Sequence, residues 1–203
     1  KNVLEAIEES TKTSQGIIVQ LPLPKHLDFE EIVNLIPPSL DVDGLTTYNL
    51  GYLYTKNFKI LPATSLAVLE LLKYYNIPTE DKNIVIAGRS RLVTSPLSKI
   101  LSNKKYNGNV TVVHSKTSNI DSFIKQSDIF ISAVGKGKLF SKDSFKEGSV
   151  VIDIGISNKD GKNTGDIDPN GLENYLSSRS PFPGGIGPIT VSALYSNLTE
   201  LIK

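Results

Sequence analysis

The 203-residue chain has no cysteine, no methionine and no tryptophan, and two histidines. Without cysteine there is no disulfide, no thiolate nucleophile and no thiolate-bound metal, and two histidines alone do not build a zinc site. No metal is therefore expected. Charge of either sign is not in excess, since 22 Lys and Arg face 21 Asp and Glu. That balance gives no electrostatic case for nucleic acid or for a membrane surface. No apolar run nears the ~20 residues of a membrane span. Signal peptide, repeat and low-complexity tract are also missing from the pattern. These absences leave a globular protein, long enough for one large or two small domains, with a cytoplasmic setting expected.

What is present alternates helix and strand, the pattern of an α/β fold. A helix is predicted from Asn2 to about Thr11 and a short buried strand over Gly16–Gln20. Asp28, with Glu31 three residues on, opens a short helix that Pro37 and Pro38 end. Residues 39–62 read as irregular with a short helical stretch. Thr64 can cap a long helix running to Tyr75. Four strands follow, at Asn83–Ala87, Asn109–Val113, Asp128–Val134 and Ser149–Ile154. They are rich in Val and Ile without alternation, as parallel strands covered on both faces are. A helix from Asp168 and a last one over Ile189–Lys203 complete the reading.

Candidate sites cluster at turns. Gly184, Gly185 and Gly187 precede the last helix, with Pro188 suited to its first turn. Bare backbone and a positive helix end there suit an anion or a polar ring, although a plain Gly/Pro loop has the same pattern. Gln20 is a lone amide at the end of its strand, where α/β proteins bind ligands; it could equally satisfy loop backbone. Asp41-Val-Asp43-Gly44 offers paired carboxylates in a turn and lacks the remaining ligands of a calcium loop. The turn after Asn83–Ala87 reads Gly88-Arg89-Ser90, placed between strand and helix where a dinucleotide's phosphates sit. It could also be a solvated basic turn. An NAD site would put a carboxylate at the end of the second strand. Here that end reads His114-Ser115-Lys116-Thr117, so Ser115 and Lys116, with Arg89 nearby, favour NADP.

Eight motifs occur in one order: Val19-Gln-Leu-Pro-Leu-Pro24, Asp41-Val-Asp-Gly44, Pro62-Ala-Thr64, Gly88-Arg-Ser90, His114-Ser-Lys-Thr117, Ala133-Val-Gly-Lys136, Val151-Ile-Asp-Ile-Gly-Ile156 and Pro183-Gly-Gly-Ile-Gly-Pro-Ile-Thr190. In this the chain resembles the bifunctional methylenetetrahydrofolate dehydrogenase/methenyltetrahydrofolate cyclohydrolase family, from about Gly16 to its end. It differs in carrying Thr94 where that family usually has Gly. The family's Tyr-x-x-x-Lys, with its catalytic lysine, does not precede Gly16. An N-terminal part of the folate region is therefore expected to be missing from these residues.

The resemblance implies a Rossmann-like NADP-binding domain over residues 64–186 beside a folate-binding catalytic domain. The latter would comprise residues 1–63, with 187–203 returning to it. It implies NADP-dependent oxidation of 5,10-methylenetetrahydrofolate to the 5,10-methenyl cation, and hydrolysis of that cation to 10-formyltetrahydrofolate. Catalytic roles fall to Gln20, which would orient the lysine, and to Asp43, which would accept hydrogen bonds from the pterin. Gly184, Gly185, Ile186, Gly187 and Pro188 would shape the folate pocket. Gly88, Arg89, Ser90, Ser115, Lys116 and the Ile156 backbone would hold the cofactor, in a homodimer. Two other readings stand beside this one: an NAD-dependent dehydrogenase without cyclohydrolase activity, and a non-catalytic dinucleotide-binding remnant.

Overall fold

The computed structural model describes residues 2–55, 58–159 and 161–203. Its centre is a five-stranded, all-parallel sheet in the order β2-β1-β3-β4-β7. The strands are β1 Asn83–Ala87, β2 Asn109–Val113, β3 Ile129–Ser132, β4 Val150–Asp153 and β7 Ser178–Arg179. A small antiparallel hairpin, β5 Ser157–Lys159 with β6 Lys162–Thr164, lies apart from it. The helices are α1 Val3–Thr13, α2 Phe29–Val33, α3 Thr47–Tyr52, α4 Ala63–Tyr74, α5 Thr94–Leu101, α6 Ile120–Lys125 and α7 Ile186–Leu201.

The apolar strands follow from burial on two faces. Ile84, Ile86, Ile129, Ile131 and Ile152 join one core with Ala67, Val68 and Leu72 of α4 and Leu97 and Leu101 of α5. Val85, Ala87, Phe130 and Val151 join a second core with Ile124, Phe140 and Phe145. Each buried Ile or Val contributes roughly 1.5–3 kcal/mol, so the middle of the sheet is the most strongly specified part of the chain. The two edge strands are the exceptions to two-sided burial: β2 pairs with β1 and leaves Val112 39% exposed, and β7 pairs with β4 with both of its residues exposed.

Three other expectations are corrected. Gly16–Gln20 is not a strand, because a single parallel bridge joins Ile17 to Asp41. A strand needs a neighbour along its length; this segment is held by side-chain packing instead, with Ile17 and Val19 against Val33, Ile36 and Leu45. No helix starts at Asp168. Pro169, Gly171 and Asn174 follow, the last two with φ of +72° and +60°, so residues 168–176 form turns. Thr64 lies inside the first turn of α4 rather than capping it. Pro62 holds the cap position, and the Ala63 N–H donates to the Asp43 carbonyl at 3.1 Å.

The last helix also begins earlier than Ile189, at Ile186. It packs along α4, where Ala67 and Ala193 are both buried. The Asn197 side-chain amide donates to the Val42 and Leu61 carbonyls at 2.9 and 2.8 Å. That clamp fixes the corner bearing Asp43 against the start of α4.

Candidate functional site

Two clefts open at the carboxyl edge of the sheet. The first, about 550 Å³, lies beyond β1, β2 and β3 and is lined by Gly88, Arg89, Ser90, His114, Ser115, Val134 and Lys136, among others. Gly88 has φ +124°, and a Cβ on it would sit 2.7 Å from the Ala133 carbonyl oxygen. The bare backbone is thus required where β1 and β3 approach each other. Gly88→Ala is expected to cost about 2 kcal/mol of strain, measurable as a lowered denaturant midpoint. Lys116 does not line the cleft; it is exposed, and its N–H donates to His114 Nδ1 at 3.2 Å. The acidic residue on the lining, Asp121, belongs to α6 and not to the end of β2.

The second cleft, about 620 Å³, is lined by Gly184–Pro188 with Thr64, Asp153, Ile156 and Phe182. Gly184 has φ +93°, and a Cβ on Gly185 would collide with the Pro181 carbonyl. Ile156 lines this cleft and is 64% exposed. Its carbonyl oxygen lies 3.6 Å from where a Cβ on Gly135 would stand. The Ile156 backbone therefore borders the loop after β3, which reaches the first cleft.

Neither Gln20 nor Asp43 lines the second cleft. Asp43 is one residue-to-residue step away, since its carbonyl receives the N–H of Ala63, the neighbour of Thr64. Its corner is built by Asp41. Asp41 Oδ1 accepts from the Gly44 and Leu45 N–H groups, and Oδ2 from the Thr46 N–H and the Asn49 amide. Burial first, and then the Asp41 charge, push the Asp43 carboxyl up to about 6, while the Ala63 N–H pulls it down. Gln20 is exposed and donates to the Leu21 carbonyl at 3.2 Å, leaving its Oε1 free to accept.

Sequence reasoning missed a buried carboxylate pair that shapes both clefts. Asp166 is fully buried and accepts from the Ser132 hydroxyl at 2.6 Å and from the N–H groups of Val134, Gly135 and Lys136. Asp153 accepts from the N–H groups of Gly155, Asp166 and Ile167. Burial raises the Asp153 pKa, helped by the Asp166 charge and opposed by those N–H donors. A Cβ on Gly155 would collide with the Asp166 carboxylate, and one on Gly165 with that of Asp153. The glycines beside these acids are the one signal that could have found them.

A parallel sheet with a glycine turn after its first strand, and hydroxyl and cationic groups at its carboxyl edge, defines a dinucleotide-binding α/β protein. A second cleft of backbone and apolar groups adjoins it. The chain belongs to the tetrahydrofolate dehydrogenase/cyclohydrolase family, whose NAD(P)-binding domain matches residues 62–203. It is 45% identical over 201 residues to the bifunctional protein FolD of Acholeplasma laidlawii, covering 98% of this chain and 72% of that protein. Among solved structures it resembles the bifunctional 5,10-methylenetetrahydrofolate dehydrogenase/cyclohydrolase of Thermoplasma acidophilum, with TM-score 0.89 and 36% identity, over 98% of this chain and 72% of that one. The Trypanosoma brucei enzyme, solved with NADP cofactor and an inhibitor, matches with TM-score 0.89 and 31% identity, over 98% and 71%. No helix among the described residues is long and apolar enough to cross a membrane.

Proposed function

We propose that the protein oxidises 5,10-methylenetetrahydrofolate with NADP and hydrolyses the resulting 5,10-methenyl cation to 10-formyltetrahydrofolate. The observation that carries this reading is the pairing of the Gly88–Ser90 cleft with the Gly184–Pro188 cleft at one edge of the sheet. Family membership supports it, as do the relatives named bifunctional. The residues of the first cleft fit the cofactor. Gly88 gives the tight exit from β1 at the cleft, its bare backbone close against the Ala133 carbonyl, and Arg89, Ser90 and Ser115 supply a cation and hydroxyls for phosphate oxygens.

The bound cofactor supplies the hydride acceptor. The chain's own task in that step is positioning, which alone can supply much of a barrier's reduction. Gly184–Pro188 would wall the folate, with the Ile156 backbone between the two ligands. Asp43 would accept hydrogen bonds from the pterin N–H groups. Hydrolysis needs a water aimed at an already cationic carbon and a proton-transferring group. Gln20 Oε1 is assigned to orient the lysine that the family resemblance implies. We also assign residues 64–186 to cofactor binding, and 1–63 with 187–203 to folate binding. Asn197 of α7 reaching Val42 and Leu61 supports the return of the last helix. A homodimer in the cytoplasm belongs to the same proposal.

The test is an assay of the full-length protein with 5,10-methylenetetrahydrofolate and NADP⁺. Reduced cofactor should form, and added 5,10-methenyltetrahydrofolate should disappear faster than in buffer. Absence of cofactor reduction would refute the reading. Arg89→Ala should weaken NADP by ~1.5–3 kcal/mol more than NAD, about 10–150-fold, for loss of a charge-assisted bond. Equal losses for both would show that Arg89 does not read the 2′-phosphate and would favour the NAD-dependent alternative.

A further inference from the structure

The turn after β1 has two sides. Gly88, Arg89 and Ser90 line the first cleft. The next two residues turn away from it into the front of the chain. Arg91 Nη2 donates to Thr47 Oγ1 at the start of α3, at 3.0 Å. Arg91 Nη1 stands 3.7 Å from Glu30 Oε1 of α2. Leu92 packs against the cluster of Val33, Ile36 and Leu45. Leu45 belongs to the Asp41-built corner that carries Asp43, and the Thr46 N–H at its end donates to Asp41. Thr47 is itself fixed, its N–H donating to Asn34 Oδ1 at 2.7 Å.

A second cation crosses the same seam. Lys99 of α5 lies over the Tyr54 ring, 4.9 Å from its centroid. Arg91 and Lys99 share a cavity of about 320 Å³ with Glu30, Thr47 and Tyr54. Within this seam Arg91 Nη1 is buried with no hydrogen-bond partner among the described residues. At 3.7 Å the pair with Glu30 is electrostatic and too long for a hydrogen bond. A buried guanidinium N–H lacking an acceptor is unfavourable.

We propose that the turn couples the two sites, with Arg91 as the positioning residue through which binding at one strengthens binding at the other. Gly88, Arg89 and Ser90 hold the cofactor; Arg91 and Leu92 hold the corner that presents Asp43. A ligand that orders the turn also orders that corner, and the coupling is reciprocal by linkage. The proposal rests on the functional reading above, in which NADP occupies the first cleft and the folate lies beside Asp43.

The experiment is the Kd of NADP⁺ for the full-length protein, by calorimetry, with and without saturating tetrahydrofolate. The wild type should bind NADP⁺ about tenfold more tightly with tetrahydrofolate, within the usual range of coupling. In Arg91→Ala that ratio should fall to about one, while the Kd without tetrahydrofolate moves less than about threefold. Thr47→Val, which keeps the shape of the α3 start and removes the acceptor, should lower the ratio as well. A retained ratio in both variants overturns the proposal. So does a loss of NADP⁺ affinity that is equal with and without tetrahydrofolate, which would make Arg91 a plain structural support. A wild type that binds both ligands independently overturns the coupling alone. A wild type that binds no NADP⁺ overturns the functional reading and the coupling with it.

Discussion

Asp166→Ala is expected to destabilise the protein by about 4 kcal/mol and to weaken NADP binding. The carboxylate is buried and accepts four hydrogen bonds, three of them from consecutive backbone N–H groups. Burying a charge is costly, and removing it recovers that cost. Removal, however, leaves Val134, Gly135, Lys136 and Ser132 with unpaired donors, at about 1–3 kcal/mol for each that stays dry. The orphaned donors outweigh the recovered desolvation, as in other buried charged networks, where breaking one partner costs roughly 3–5 kcal/mol. Asp166→Asn keeps one acceptor oxygen but points an NH₂ group at an N–H donor, so about half the loss should remain. Val134 and Lys136 line the first cleft, so dinucleotide affinity should fall with stability. Chemical denaturation read against the wild type measures the first effect. A loss below about 1 kcal/mol for Asp166→Ala would mean that water replaces the carboxylate and that the network is not what shapes the loop.

The middle of the sheet was legible because local pattern and global burial agree there. β1 and β2 fall on the expected residues, and β3 and β4 lie within the expected ranges. A continuous Val/Ile run reads the same whether one or two faces are covered, so β2 as an edge strand was not legible. Gly16–Gln20 looks like a strand by composition, but strand pairing is a property of the neighbours and not of the segment. The helix expected from Asp168 does not form, because Gly171 and Asn174 take left-handed backbone and turn the chain instead. Hairpin β5–β6 carries Ser, Asn and Lys without apolar alternation, and so gave no strand signal.

The site shows the same division. Glycines marked both turns, because a backbone that must take positive φ or touch a carbonyl advertises itself in sequence. Gly88, Gly184 and Gly185 are such positions. The acids were less readable. Asp153 sits in a readable strand-end motif, yet its partner Asp166 lies beyond an intervening hairpin and has no local pattern. Arg91, the residue after Ser90, has no local pattern that sets it apart. Its reach to Thr47 and Glu30 depends on how the front of the chain folds over the turn, which no spacing rule encodes.

Asp43→Asn is expected to act in opposite directions on stability and on activity. The Asp43 carboxyl is pushed from an ordinary 3.8 up to about 6, chiefly by burial. In the unfolded chain it titrates near the ordinary value. Between these two pH values the folded protein binds a proton that the unfolded chain has released. Its contribution is therefore fully present below the unfolded pKa, and is lost as pH rises through about 6. The gap corresponds to roughly 3 kcal/mol at most, reduced to about 1–2 kcal/mol by partial solvent screening. Asparagine carries no charge at any pH, so the variant should be about 1–2 kcal/mol more stable than the wild type at pH 8 and nearly equal to it at pH 4. Asp153, also raised, bends the stability curve in the same sense, but it is common to both proteins and cancels in the difference. Activity should move the other way. An ionised carboxylate accepting pterin N–H bonds is worth about 2–3 kcal/mol, so kcat/KM should fall roughly 30–150-fold. In the wild type, kcat/KM should rise with pH through about 6 as Asp43 ionises, and this limb should vanish in the variant. Denaturation at pH 4, 6 and 8, together with a pH–rate profile of the full-length protein, checks both halves. Equal pH dependence of stability in the two proteins would remove the buried-charge account of Asp43. An activity loss under about tenfold would remove it from the folate site.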